Sequence, residues 1–214
     1  MGITALLDAL VTEHDRIGSP LRRELGPGLP PERVDAVIRD LGLVPPASLI
    51  ELHSWHQVHV DPGAPGASWF WPASPLTLDE AVAEYRQGVE IGGIAPAAIE
   101  AILAVPLPPG ATNSGYWRTD WLPILVGDDT YAIECSRAGA DDAPIWRVNW
   151  HPFPGFETSQ VAPSLEWFVA AIVELFRAGA YRWDRQNNAV VTVDAVFEAR
   201  GLGEFYRPPV ASDS

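Results

Sequence analysis

Histidine recurs every third residue in the run His53-Ser54-Trp55-His56-Gln57-Val58-His59. Imidazole is a common zinc ligand, so this spacing raises the question of a metal site. On a continuous helix each step of three residues leaves the side chain about 60° short of a full turn, so at most two of the three reach one ion. No Cys or acidic ligand stands at the matching offset. The expected role is therefore at a helix C-terminus, with imidazole against terminal carbonyls and Trp55 packed inward. No metal and no cofactor is assigned.

Two acidic pairs, Asp128-Asp129 and Asp141-Asp142, offer the hard oxygen ligands that a divalent cation takes. If they flank one strand they lie about 20 Å apart at ~3.3 Å per residue, too far to share an ion. Turn chemistry accounts for each pair, because Asp accepts neighbouring amides and tolerates turn dihedrals. Cys135 and His151 near the ends of neighbouring strands suggest a Cys/His nucleophile. Cys135 alternates with Tyr131 and Ile133, however, which turns it toward the core, where a thiol is inert packing. Nine tryptophans are more than a compact domain of this size needs inside. Trp69, Trp71 and Trp117, set among Pro, Gly and Ser, are expected to be exposed, and exposed Trp serves interface hot spots or stacks on sugars and bases.

Phosphate-binding glycine loops, the Gly-x-Ser-x-Gly elbow, the zinc-protease helix and paired Cys-x-x-Cys are all missing. The charge balance narrows the partners further. Fourteen arginines, no lysine and 28 acids leave a net charge of −14, spread evenly over the two halves. A chain without a cationic stripe cannot gather phosphates, which excludes nucleic acid and anionic lipid as expected partners. It attracts cationic proteins over about a Debye length. No run approaches the ~20 apolar residues of a membrane span, and Met1-Gly2-Ile3-Thr4 lacks the features of a signal peptide, so a cytoplasmic location is expected. One cysteine agrees with a reducing compartment.

The elements that must position these residues follow from periodicity. Ile3, Leu6, Leu7, Leu10, Val11 and Ile17 predict an amphipathic helix ending near Gly18. After the Gly26–Pro31 link, Val34, Val37, Ile38 and Leu41 predict a second, and Pro45-Pro46 opens a third over Leu49 to Trp55. Trp69-Phe70-Trp71-Pro72 is a short strand or extended anchor. Thr77 and Glu80 form a capping box for a helix carrying Leu78, Ala81, Val82 and Tyr85, and Pro96 to Leu103 is a candidate short helix. From Trp121 the period changes to that of strands. Trp121 to Val126, Thr130 to Ser136 and Ile145 to Trp150 predict an antiparallel meander. Ser164 caps a helix with Leu165, Phe168, Val169, Ile172, Leu175 and Phe176 on one side and Gly179 past its end. Ala189 to Val193 is a candidate edge strand, and Asp194 begins a last short helix.

This ordered set of segments resembles the SUKH superfamily, which unites a fungal regulator of cell-wall assembly with many bacterial toxin-immunity proteins. The matching pieces are Leu41-Gly42-Leu43-Val44-Pro45 into Leu49 to His56, then Pro75-Leu76-Thr77-Leu78-Asp79-Glu80-Ala81. Trp121-Leu122-Pro123-Ile124, Gly127-Asp128-Asp129-Thr130-Tyr131-Ala132-Ile133-Glu134 and Ser164-Leu165-Glu166-Trp167-Phe168-Val169 follow in order. The chain departs from the pattern at Gln57-Val58, where Asn-Gly is usual, at Glu134, where Asp is common, and in the long span from Arg86 to Tyr116. The resemblance implies an α+β domain with a mainly antiparallel sheet packed by N-terminal helices and a long C-terminal helix. It also implies no enzymatic activity and action by protein binding.

The expectations are then an N-terminal helix (1–20), a SUKH-like domain (21–180) and a C-terminal extension (181–214) frayed from about 208. Trp55, His56, Trp121, Gly127, Glu134 and Trp167 are expected to be structural family positions. Trp69, Trp71, Trp117, Asp128 and Asp129 are candidates for partner contact. The expected function is a non-catalytic binding module, an immunity-type protein that neutralises a cognate basic toxin. The alternatives are a cell-wall or morphogenesis-linked binder, and a small-molecule or carbohydrate binder or hydrolase using loop Trp with Asp128, Asp129 or Glu134.

Overall fold

A computed structural model of the chain describes residues 2–58, 68–70, 73–92, 117–149 and 158–199. The fold is α+β, with helices packed on antiparallel sheets. Helix α1 (Ile3–Ile17) turns Ile3, Leu6, Leu7, Leu10 and Val11 inward and stops where Gly18 takes φ of +82°. One turn of helix, α2 (Leu21–Glu24), leads into β1 (Leu25–Pro27), α3 (Pro31–Asp40) and α4 (Ala47–Trp55). Strand β2 (His56–Val58) follows α4 directly and pairs antiparallel with β1, Pro27 facing His56.

The segment Gly26–Pro31 is therefore strand in its first two residues and not link throughout. Gly28 lies so close to the end of α4 that a Cβ there would overlap the Ser54 carbonyl, and only glycine lets the backbones approach this far. The approach brings Leu29 N–H to the His53 carbonyl at 3.0 Å. That bond, with a second from Gln57 Nε2 at 3.2 Å, closes the C-terminus of α4.

The main sheet has five strands in the order β3-β4-β5-β6-β7, each antiparallel to the next. They are β3 (Ser74–Pro75), β4 (Trp121–Val126), β5 (Asp129–Glu134), β6 (Ile145–Asn149) and β7 (Thr158–Ala162). Gly127-Asp128 turns β4 into β5, with Gly127 N–H donating to the Asp129 carbonyl at 3.0 Å. The ladder slips between Pro123 and Leu125, a bulge at the point where proline has no N–H to give. Strand β7 was not expected: Thr-Ser-Gln-Val-Ala has no apolar alternation, and an edge strand needs none.

Helix α5 (Leu78–Gly92) packs on β4. Its capping box is formed, with Thr77 N–H on Glu80 Oε2 at 2.8 Å and Glu80 N–H on Thr77 Oγ1 at 3.3 Å. Helix α6 (Leu165–Arg177) lies on one face of the sheet, where Phe168 meets Phe70 and Tyr131 with ring centroids 5.8 and 5.6 Å away. Ser164 caps it, accepting from Trp167 N–H at 3.1 Å.

The core extends beyond residues 21–180 at both ends. α1 packs along α6, and His14 sits 4.6 Å from the Phe176 ring. Tyr181, first residue of β8 (Tyr181–Asp184), packs on the same ring in a tilted arrangement with centroids 4.7 Å apart. Strand β9 (Ala189–Thr192) completes a hairpin with β8 and buries Val190. A last helix, α7 (Asp194–Ala199), starts at the predicted aspartate. The candidate helix Pro96–Leu103 and the tail from 208 lie outside the described residues.

Candidate partner-binding surface

The histidine run is divided between two elements. α4 ends at Trp55, and His56 is already extended at φ −154° and ψ 155°. His59 lies outside the described residues. His53 is buried, and burial pushes its pKa down to about 4; its Nε2 has no hydrogen-bond partner among the described residues. His56 is exposed, and its Nδ1 donates to the Gly26 carbonyl at 2.7 Å. Imidazole at a helix end was the expectation. His53 in the last turn and His56 at the C-cap do stand at the end of α4, but the His53 carbonyl accepts from Leu29 and Gln57, and the His56 imidazole bonds to Gly26 of β1. Among the described residues no three of His, Cys, Asp and Glu gather closely enough to hold a metal ion.

Cys135, 2% exposed, follows β5 and donates to the Ile133 carbonyl at 3.7 Å. Burial pushes its thiol up to about 12, so it stays protonated and unreactive at neutral pH. His151, the base such a nucleophile would need, lies outside the described residues.

The acidic pairs serve unlike ends. At the hairpin tip Asp128 is exposed, and Asp129 faces Arg147 at 3.9 Å. In the β5–β6 loop Asp141 is exposed while Asp142 turns inward as a clamp. Asp142 Oδ1 accepts from Ser48 Oγ at 2.7 Å and from Leu165 N–H at 2.9 Å, and Oδ2 accepts from Glu166 N–H at 3.0 Å. One carboxylate thus joins the first turn of α4 to the first turn of α6, where free amides and the helix dipole favour negative charge. The neighbouring carbonyls of Ala140 and Asp141 accept from Ala47 and Ser48 N–H at 3.1 and 2.9 Å, completing the α4 cap. Turn chemistry, the expected role, accounts for one bond, from the N–H of the next residue Ala143 to Oδ1 at 2.8 Å, but not for the long-range ones. No local spacing announces the clamp, since Ser48, Leu165 and Glu166 are 94, 23 and 24 residues away.

The tryptophans are distributed differently from the expectation. Trp69 and Trp117, expected on the surface, are 3% and 5% exposed. The Trp69 carbonyl accepts from His14 Nε2 at 3.0 Å, tying its loop to α1. Trp117 lies against Gly88 of α5, where a Cβ would come within 2.7 Å of the ring. Trp71 lies outside the described residues. Trp121 is buried and stacks on half-buried Trp146 at 5.2 Å, with the Arg118 guanidinium 5.3 Å above the first ring and 5.9 Å above the second. Trp55 is half-buried and donates to Asp8 Oδ1 at 2.8 Å. Beside Trp121, Glu134 accepts from Ser136 Oγ at 2.7 Å and reaches Arg137 at 4.0 Å.

Trp167, expected among the structural positions, is the one large hydrophobic exposed among the described residues, at 44%. The sequence carried a signal for this. At 100° per residue Trp167 stands opposite the stripe of Leu165, Phe168, Val169, Ile172 and Phe176.

Among the described residues the exposed charges are of both signs, with carboxylates in excess. Arg16, Arg22, Arg39, Arg118, Arg137, Arg147 and Arg177 each lie within 4.0 Å of an acid of this chain. Glu32, Asp40, Glu51, Asp79, Glu84, Glu90, Asp128, Asp141 and Glu166 have no ion pair among the described residues. Arg23, Arg33, Arg86, Arg182 and Arg185 are exposed and likewise have no ion pair among the described residues, so acids without a counter-ion outnumber arginines without one but do not stand alone. Compared with protein-family models and with curated proteins, the chain matches none at a significant level.

Proposed function

We propose that the chain is a non-catalytic protein-binding module of the immunity type that the SUKH resemblance implies, acting in the cytoplasm on a cationic toxin or toxin domain. The observation that supports it most is the excess of negative charge, −14 over the chain, with more exposed carboxylates than arginines lacking an ion pair among the described residues. Such a surface accelerates encounter with a basic protein and disfavours nucleic acid. A basic nuclease would find its substrate channel matched by this field. The carbohydrate-binding alternative loses support, because Trp69 and Trp117 are packed in the core.

Co-purification with the product of the adjacent gene tests the reading. A complex is expected that forms at low salt and weakens as salt is raised. Absence of any complex at low salt would overturn it.

A further inference from the structure

The five-stranded sheet ends differently on its two sides. On one side β3 is two residues long and contains Pro75, which has no N–H to give a further strand. On the other β7 runs for five residues, Thr158-Ser159-Gln160-Val161-Ala162, with no proline and no charged side chain. Its register with β6 passes over Val161, so a bulge bends the end of the strand and leaves Thr158 to Gln160 regular. Apart from that bulge, β7 has none of the charges or prolines that usually guard a sheet edge.

In an antiparallel strand the backbone N–H and C=O groups of alternate residues point away from the paired neighbour. Among the described residues no strand pairs with β7 on its outer side. No backbone hydrogen bond besides the ladder with β6 reaches it there either. The Ala162 carbonyl takes one side-chain bond, from Gln160 Nε2 at 3.3 Å. Gln160 is exposed and Thr158, Ser159 and Val161 are half-buried, so the edge is open to solvent.

A row of unpaired ladder groups has a definite complement, an extended polypeptide segment that adds a further strand. The smaller sheets offer poorer templates, since each has two strands, β1 contains Pro27, and β8 carries Arg182 and Asp184. Charge decides which chain supplies the added strand. A second copy brings −14 against −14, which opposes association, whereas a cationic protein is attracted. The strand itself is uncharged, so the field of the whole chain steers the partner and the ladder holds it.

We infer that β7 is the docking edge of the chain, and that a cationic protein binds by adding an extended segment to it as a sixth strand of the main sheet. This rests on the binding function proposed above and names the edge that performs it.

Hydrogen–deuterium exchange of the full chain, with and without the adjacent gene product, tests the inference, with affinities measured by titration calorimetry at fixed salt. Amides of residues 158–162 are expected to slow at least about tenfold in the complex, and those of β9 to stay unchanged. Gln160→Arg, which places a charge on the edge, is expected to weaken binding about tenfold. Gln186→Arg makes the same change of charge on the exposed β8–β9 turn and should weaken it less than about threefold. Thermal melts confirm that both variants fold. Binding without slowing in 158–162, or losses in Gln160→Arg no larger than in Gln186→Arg, would overturn the docking edge while leaving the binding function intact. Slowing of 158–162 in the unbound chain as its own concentration is raised, with a dimer in sedimentation, would give the edge to a second copy and overturn the cationic occupant. No binding by the wild-type chain would remove both the edge and the function it rests on.

Discussion

Neutral imidazole is what the core holds at positions 14 and 53. His14 lies between the Trp69 carbonyl and the Ser19 hydroxyl, each at 3.0 Å. A carbonyl only accepts, so Nε2 carries the proton and Nδ1 accepts from Ser19. Burial pushes the pKa of His14 down to about 4, and that of His53 equally, from the ordinary 6.5. Between those values the unfolded chain binds protons that the native one refuses, so stability rises with pH through the window. The stabilisation is complete above about 6.5 and is lost as pH falls toward 4. A shift of this size corresponds to about 3 kcal/mol for each histidine at full effect. Urea midpoints are expected to be flat above pH 7 and to fall steeply between 6.5 and 4. His53→Leu should retain the fall but reduce its slope by nearly half. An unchanged slope in that variant would show that His53 does not titrate in this window.

The elements depend on contacts that sequence reveals only when they are local. Ser164 and the Thr77–Glu80 box are legible because donor and acceptor are three residues apart. Asp142 is not, although it anchors more of the fold. Truncating it in Asp142→Ala removes a partner from Ser48 and strands the Leu165 and Glu166 amides at a partly buried helix end. The expected loss is about 3 kcal/mol. Ser164→Ala, which removes a single cap bond, should lose only about 1 kcal/mol. Denaturant unfolding of both variants checks the order, and equal losses would mean that Asp142 does not bind the two helices together. The same distinction separates the strands. β4, β5 and β6 show themselves by apolar runs, whereas β1, β2 and β7 are short or polar and exist because a neighbour supplies the ladder. Trp69 and Trp117 misled for a related reason. Their flanking Pro, Gly and Ser describe the loop, but His14 of α1 holds the Trp69 carbonyl and Gly88 of α5 lies against the Trp117 ring, contacts from helices distant in sequence.

At the scale of the whole molecule, net charge is fully legible in the composition but its distribution is not. The composition gives −14, and only the fold shows which carboxylates the arginines neutralise. That distribution sets two opposing responses to salt. Screening weakens the internal ion pairs, most of which have well-exposed arginines, as in Arg22–Asp15 and Arg39–Asp35, and pairs of this kind contribute only ~0–1 kcal/mol each. Screening also relieves repulsion among the unpaired acids, and with twice as many acids as arginines in the chain this second effect is the larger. Raising sodium chloride from about 0.01 M to 0.3 M shortens the Debye length from ~30 Å to below 10 Å, well under the width of a domain this size. The thermal midpoint is therefore expected to rise by roughly 2–4 °C over that range, corresponding to about 1 kcal/mol for a domain of this length. Differential scanning calorimetry at constant pH 7.5, where His14 and His53 are neutral, isolates the effect. A midpoint that falls with salt would mean that the ion pairs outweigh the repulsion, and that the carboxylate surface is less uncompensated than its ion-pair geometry indicates.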